Sequence, residues 1–285
     1  MWRRRDTWDV RLDARYVTKP IRFASFLGDN AFEFYREAVA YLGEATGLAT
    51  EMVADTSPGM DAMFGSGQID AAFGCGLPYV WKAAEPSPSM RLMAAPVLLG
   101  DRYGDQPIYF SDVIVRREAR YETLNDLRGA TFAYNQSVSF SGYVLPLYHL
   151  MRMGQANGFF GKTVATGSHA ASMDWVESGQ ADAAAIDSMV LEMELKQRPH
   201  RASAFHVIES LGPAGMPPIM TAARLADEPR VTLTHALVTM HTRAEGKAIL
   251  ERGGVRRFAP VTDRNYDDIR QMLQALKAAG VSELN

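Results

Sequence analysis

The sequence predicts an α/β protein built as two lobes facing one another across a cleft. Three observations carry this expectation. Apolar runs of strand length alternate with segments of helical period, first over residues 21–98 and again over 130–196. The strand-like runs end in turns rich in Gly, Ser, Asp or Asn. A longer apolar run, Pro107 to Arg116, lies between the two alternating stretches and suits a passage from one lobe to the other.

The chain of 285 residues is long enough for two modest lobes or one large domain, and its 47% apolar content supports a substantial core. Charged residues make up 22%, the formal net charge is −3, and no basic stripe points to a nucleic-acid partner. A single cysteine, Cys75, excludes a disulfide within the chain and a zinc cluster built from cysteines. No apolar run reaches the roughly 18 residues of a membrane helix. Arg3, Arg4 and Arg5 are followed by polar residues rather than by the apolar region of a secretory signal. As written, the chain carries no export signal, which leaves either a truncated or mis-set start or a cytoplasmic protein.

Taken in order, residues 1–19 have no clear period and read as a loose or edge-pairing arm. Ile21 to Ser25 alternates as a buried strand. Gly28, Asp29 and Asn30 form a turn with a cap, and Phe34, Ala38, Tyr41, Leu42 and Ala45 fall at helical spacing up to a stop at Gly47. A strand over 49–53, a short helix over 57–64, a strand over 69–73 and a helix over 77–84 with Pro78 in its first turn follow. Residues 91–98 form the next strand. Alternation of this kind argues for a mostly parallel sheet with right-handed crossovers.

The second stretch repeats the scheme. It has strands over 130–134, 162–165 and 182–186 and helices from about 141, over 169–178 and over 188–196. One more strand covers 205–209, and the loop through Gly212, Pro213, Met216, Pro217 and Pro218 returns the chain. Segments 231–240, 244–253 and 266–279 read as helices packed on the first lobe. The expected division is 20–107 with 218–285 for lobe 1, 108–217 for lobe 2, and an arm over 1–19.

Ligands of open parallel sheets sit outside the carboxyl ends of the strands. The loops that fall there are 26–32, 74–79, 135–143, 166–169 and 187–188. Two of them hold clusters of small hydroxyl residues where a strand ends and a helix begins. One contains Ser137, Ser139 and Ser141, and the other Thr166, Ser168 and His169. Helix N-termini expose unpaired N–H groups and partial positive charge, and Ser or Thr there both cap the helix and offer donors to an anion. Two such ends facing one cleft would grip a small oxyanion without a cationic side chain.

These residues resemble a known family. Ser139-Phe140-Ser141-Gly142-Tyr143-x-x-Pro146 is similar to the Ser-Thr-Ser-Gly-Tyr/Phe-x-x-Pro loop of phosphonate-binding periplasmic proteins, the solute receptors of phosphate, phosphonate and phosphite ABC importers. Gly167-Ser168-His169 resembles the family's Gly-Ser-His or Gly-Asn-His loop. The run from Ala181 to Asp187 and Ser188 resembles the following strand and its acidic end. The stretch from Ile69 to Pro78 and Tyr79 resembles the first-lobe strand and loop. The likeness covers about residues 21 to 240.

The resemblance implies a type II periplasmic-binding-protein fold, two α/β lobes with a hinged cleft. It assigns the phosphonyl contacts to Ser139, the backbone of Phe140, Ser141, Ser168 and His169, with Tyr79 and Asp187 bordering the rest of the ligand. Phe140 stands where the family has threonine, so only its N–H is left to bind. The implied function is the solute-binding component of an ABC importer, with a small phosphorus oxyanion as ligand and a permease as partner. The implied location is the periplasm. No cofactor, metal or direct membrane insertion is expected.

Each residue also has a plainer reading. Ser139, Ser141 and Asp187 could serve only as caps, and His169 could be a neutral packing residue. Asp29, Asn30 and Phe32 could form a cap with a hydrophobic staple, and Cys75 could be a small buried side chain. Tyr143 and Tyr148 read as packing residues. Ser139 and His169 suggest a nucleophile and base, but no Gly-x-Ser-x-Gly elbow exists. His149 and His169 lack a third ligand for a metal. Two alternatives stand beside the receptor reading: a cytoplasmic enzyme on the same fold acting on a small acid, and a ligand sensor with a signalling partner.

Overall fold

The computed structural model describes residues 19–57, 59–156 and 158–284, so the expected arm lies, apart from Lys19, outside the described residues. The first half opens with β1 (Ile21–Ser25), α1 (Phe32–Thr46), β2 (Thr50–Val53), α2 (Met60–Gly65), β3 (Ala71–Phe73), α3 (Gly76–Ala83) and β4 (Met90–Leu98). Helix α1 buries Phe34, Tyr35, Ala38, Val39, Tyr41 and Leu42, the one face its period places together. It stops at Gly47, whose φ of 72° is left-handed and whose N–H bonds to the Gly43 carbonyl.

The chain then enters a second set of elements: β5 (Ile108–Arg116), β6 (Thr131–Tyr134), α4 (Leu145–Arg152), β7 (Lys162–Ala165), α5 (His169–Glu177), β8 (Ala183–Asp187), α6 (Ser188–Gln197) and β9 (Phe205–Gly215). It returns through β10 (Ile219–Ala222), α7 (Asp227–Thr239), α8 (Ala244–Arg252), β11 (Val255–Pro260) and α9 (Asp267–Ala278).

These strands make two sheets, ordered β11-β4-β10-β3-β1-β2 and β7-β6-β8-β5-β9. In the first sheet β1, β2 and β3 are parallel, whereas β10 runs antiparallel to β3 and β4, and β11 antiparallel to β4. In the second sheet β6 is parallel to β7 and β8, and β5 is antiparallel to β8 and β9. Both sheets are therefore mixed, which corrects the mostly parallel expectation. The returning chain supplies β10 and β11, two strands absent from the sequence reading.

Strand β8 shows how the second half is layered. Ala183 and Ala185 face the large core that also holds Phe132, Phe159 and Phe160. Ala184 and Ile186 face a smaller core with Met173, Val176, Val190 and Leu191. Alternation along a strand thus serves helices on both faces of the sheet. Stacking of Phe132 on Phe160, with centroids 4.4 Å apart, fills the first of these cores. The C-terminal helix α9 packs on α3 and also on α4 and β9. The Leu284 N–H donates to the Tyr143 hydroxyl at 3.0 Å, so the end of the described chain reaches elements of both sheets.

Candidate functional site

The loop after β6 does not run straight into a helix. Phe140–Val144 forms one π-helical turn before α4, with the Val144 N–H reaching back to the Ser139 carbonyl at 3.1 Å. Such single π-turns insert an extra residue and often mark functional sites. The Ser139 hydroxyl caps the turn by accepting from the Gly142 N–H at 3.1 Å. The extra residue sends the Phe140 ring into the core, where it is fully buried, while Ser141 is 4% exposed. The Ser141 carbonyl is fixed by the Ser111 hydroxyl at 2.6 Å.

The loop after β7 meets this turn. Ser168 caps α5 by accepting from the Ala171 N–H at 3.1 Å. The Thr166 hydroxyl braces the same turn, 2.6 Å from the Ser172 hydroxyl. His169, the first residue of α5, places its Nε2 3.2 Å from Ser141 Oγ. Burial alone lowers the His169 pKa to about 4, so its imidazole is neutral near pH 7. Neutrality also suits a residue at the positive end of a helix. Its Nδ1 is buried and has no hydrogen-bond partner among the described residues.

Asp187 ends β8 and caps α6. Its Oδ1 accepts from the Met189 N–H at 2.8 Å and the Val190 N–H at 3.3 Å. Burial raises its pKa to about 7 against the pull of those two N–H groups, and the charges of Asp112 and Glu192 add to the rise. Asp187 is thus a helix cap, and its charge also bears on Cys75, Tyr109 and Tyr35.

Cys75 precedes α3 and is a free, partly buried thiol. Burial raises its pKa, while the N–H groups of Leu77, Phe140 and Gly76 point at the sulfur and pull the other way. The Phe140 N–H therefore faces a residue contributed by the other sheet's loops. Burial likewise raises the Tyr109 pKa well above the usual phenol range, with Cys75, Asp187 and Asp268 adding to it and a hydrogen bond from Ser141 opposing it.

The structure thus brings together Ser141, His169 and the Phe140 N–H, with Asp187 beside them through Cys75 and Tyr109. Ser139 and Ser168 cap the two flanking turns. Tyr79 is turned elsewhere: its hydroxyl donates to Asp263 Oδ1 at 2.8 Å and its ring packs on Tyr266 at 5.0 Å. Asn30 contacts α6, its Nδ2 donating to the Val190 carbonyl at 2.9 Å. Tyr109 and Tyr35 escaped the sequence reading because each is an aromatic inside an apolar strand or helix pattern, where packing is the plain expectation. Asn135, next after β6, keeps its Oδ1 buried with no partner among the described residues.

Among the described residues, no group of three or more His, Cys, Asp or Glu is arranged to hold a metal ion, and no helix is long and apolar enough to cross a membrane. Among the described residues, no Lys or Arg is hydrogen-bonded to Ser141 or His169, whose neighbouring donors are hydroxyls, an imidazole and backbone N–H groups.

Two sheets joined by paired crossings, with buried polar loops between them, define a type II periplasmic binding protein. The family model of the periplasmic substrate-binding proteins of phosphonate ABC transporters matches residues 24–266. The chain belongs to that family.

Solved structures share the fold at low identity. The binding-protein component of an ABC phosphonate transporter from Pseudomonas aeruginosa is 19% identical with a TM-score of 0.79, over 92% of this chain and 88% of that one. PhnD1 from Prochlorococcus marinus, solved in complex with methylphosphonate, is also 19% identical with a TM-score of 0.77, over 91% and 98%. The periplasmic aliphatic sulphonate binding protein SsuA from Escherichia coli is 16% identical with a TM-score of 0.61, over 93% and 94%.

Proposed function

We propose that this chain binds a small phosphorus oxyanion of the phosphonate, phosphate or phosphite type between two lobes and presents it to an ABC permease from the periplasm. The lobes would comprise residues 20–107 with 218–285, and residues 108–217. The observation that carries the reading is the buried meeting of Ser141 Oγ and His169 Nε2 at 3.2 Å. Two strand-end loops converge there on one point.

In this reading Ser139, the Phe140 N–H, Ser141, Ser168 and His169 hold the phosphonyl oxygens. An oxyanion would supply the acceptor that the buried His169 Nδ1 lacks when it carries the proton. Asp187, with its raised pKa, stands toward the rest of the ligand, ready to donate as an acid or to accept from a protonated substituent. Tyr79 supports Tyr266 and α9 instead of offering its hydroxyl. Binding by neutral donors favours a ligand whose oxygens match them, because an ill-fitting anion leaves buried N–H and O–H groups unpaired.

The Ser141–His169 pair also has the outline of a nucleophile and base. We read it as a binding pair because, among the described residues, no third group orients the imidazole through Nδ1. Calorimetric titration of ligand-stripped protein against phosphate, phosphite, methylphosphonate, 2-aminoethylphosphonate and sulfate tests the reading. Tight binding of one phosphorus oxyanion, lost in the Ser141→Ala, His169→Asn double variant, supports it. Absence of binding to all five overturns it.

A further inference from the structure

Helix α9 closes on a Schellman motif. The Gly280 N–H bonds to the Lys277 carbonyl at 3.1 Å and the Val281 N–H to the Leu276 carbonyl at 3.0 Å. Gly280 has a φ of 66°, the left-handed angle this ending requires. The motif sets the direction in which the chain leaves the helix. Val281 packs on the large core, and Leu284 enters it with 3% of its surface exposed. Burial of these two apolar side chains ties down a segment that would otherwise be loose.

Leu284 lands on the turn that carries Ser141. Its N–H donates to the Tyr143 hydroxyl at 3.0 Å, across 141 residues of sequence. Tyr143 lies within the π-turn Phe140–Val144, two residues after Ser141 and next to Gly142. Its ring stands edge-on to Tyr134, the last residue of β6, at 4.9 Å. The turn's own hydrogen bonds, from the Gly142 N–H to Ser139 Oγ and from the Val144 N–H to the Ser139 carbonyl, fall on either side of Tyr143. Tyr143 is thus gripped twice, by β6 through its ring and by residue 284 through its hydroxyl. A π-turn is a rare backbone form, and contacts from outside the turn help to hold it.

We propose that Tyr143 and residues 281–284 are positioning elements of the candidate site: the segment, seated on the Tyr143 hydroxyl, holds the π-turn in the form that presents Ser141 and the Phe140 N–H. They act through the turn and not through the ligand. For its effect on affinity the inference rests on the oxyanion reading; for its effect on the turn it does not.

Amide exchange measured by NMR on the ligand-free full chain reads the turn whatever the ligand proves to be. Tyr143→Phe keeps the ring and removes the acceptor. Exchange at Gly142 and Val144 should quicken about three- to tenfold, the size of one hydrogen bond, with the Ala171 N–H in the neighbouring cap unchanged. Ending the chain at Gly280 should quicken both amides at least as much. Tyr143→Phe should then add nothing in the shortened chain, since the hydroxyl has already lost its donor. Affinity for whichever of phosphate, phosphite or methylphosphonate binds wild type should weaken by a similar factor in Tyr143→Phe. Unchanged exchange at Gly142 and Val144 in that variant overturns the proposal. So do quickened exchange throughout the chain, additive effects of the two changes, and unchanged affinity for an anion that wild type binds. Quickened exchange confined to the turn, in a protein that binds none of the three anions, supports the brace and contradicts the ligand reading alone.

Discussion

A Cβ placed on Gly142 would stand 2.0 Å from Asn135 Oδ1. The two ends of the loop after β6 are thus pressed together around the π-turn, and the glycine of the Ser-Phe-Ser-Gly-Tyr motif is there for space and not for an unusual backbone angle. Its close approach lets the Gly142 N–H reach Ser139 Oγ, which fixes the turn that carries Ser141.

Gly142→Ala is therefore expected to push Asn135 aside or distort the turn. Overpacking of this kind costs about 1–3 kcal/mol. Thermal unfolding should show a lower Tm, and calorimetry a weaker affinity, by about tenfold or more, for the phosphorus oxyanion proposed as ligand. An alanine variant with unchanged Tm and Kd would show that the loop yields freely.

Ser141→Ala removes the one hydrogen-bond partner that His169 Nε2 has among the described residues. A buried group left unpaired costs about 1–3 kcal/mol. Affinity for the phosphorus oxyanion proposed as ligand should drop by roughly 10- to 100-fold. Nitrogen NMR of the His169 ring should show a neutral imidazole at pH 6, in keeping with its pKa of about 4. A protonated ring at that pH would contradict the buried, neutral site.

Stability should depend on pH through two opposed groups. Asp187 has a folded pKa of about 7 against an ordinary 3.8, so the folded protein holds the extra proton between these values. Its contribution is complete below about pH 4 and is lost as pH rises through 7. His169 has a folded pKa of about 4 against 6.5, so its contribution is present above 6.5 and lost as pH falls through 4. In Asp187→Asn the falling contribution of Asp187 is gone while the rising one of His169 is kept. Urea midpoints between about pH 4 and 6.5 should then rise more steeply with pH than in wild type. Equal slopes would refute the assignment to Asp187.

The passage between the sheets is braced by charge. Arg102 donates to both oxygens of the buried Asp112, at 3.2 and 2.8 Å, and the Ser210 hydroxyl donates to Asp112 Oδ1 at 2.6 Å. Asp112→Ala strips both partners at once. Because Arg102 is 35% exposed and can return to water, the loss should be about 2 kcal/mol, less than for a fully buried pair. Chemical denaturation reads it directly, and a loss below about 0.5 kcal/mol would remove this network from the stability of the passage.

Much of the architecture was legible because buried parallel strands leave apolar runs, and helices between them leave a period and a cap. Strands β10 and β11 were not. Ile219–Ala222 follows Met216, Pro217 and Pro218, which read as a loop. Val255–Pro260 carries Arg256 and Arg257 and ends in proline, a pattern tolerated because β11 is an edge strand.

At the candidate site, Ser139, Ser168 and Asp187 were legible as caps at strand ends, and Ser141 and His169 only as a hydroxyl and an imidazole in the turns those caps begin. The direction of Tyr79 was not, because it is set by Asp263, a partner 184 residues away. The aim of Asn30 at α6 was equally hidden, being fixed by a carbonyl 160 residues distant.

The most direct measurement is a crystal structure of the protein grown with methylphosphonate. The account predicts phosphonyl oxygens within hydrogen-bond reach, roughly 2.5–3.2 Å, of Ser141 Oγ, the Phe140 N–H and a ring nitrogen of His169, with no Lys or Arg in contact. A ligand bound elsewhere, or held by cationic side chains with Ser141 and His169 still paired only to each other, would contradict it.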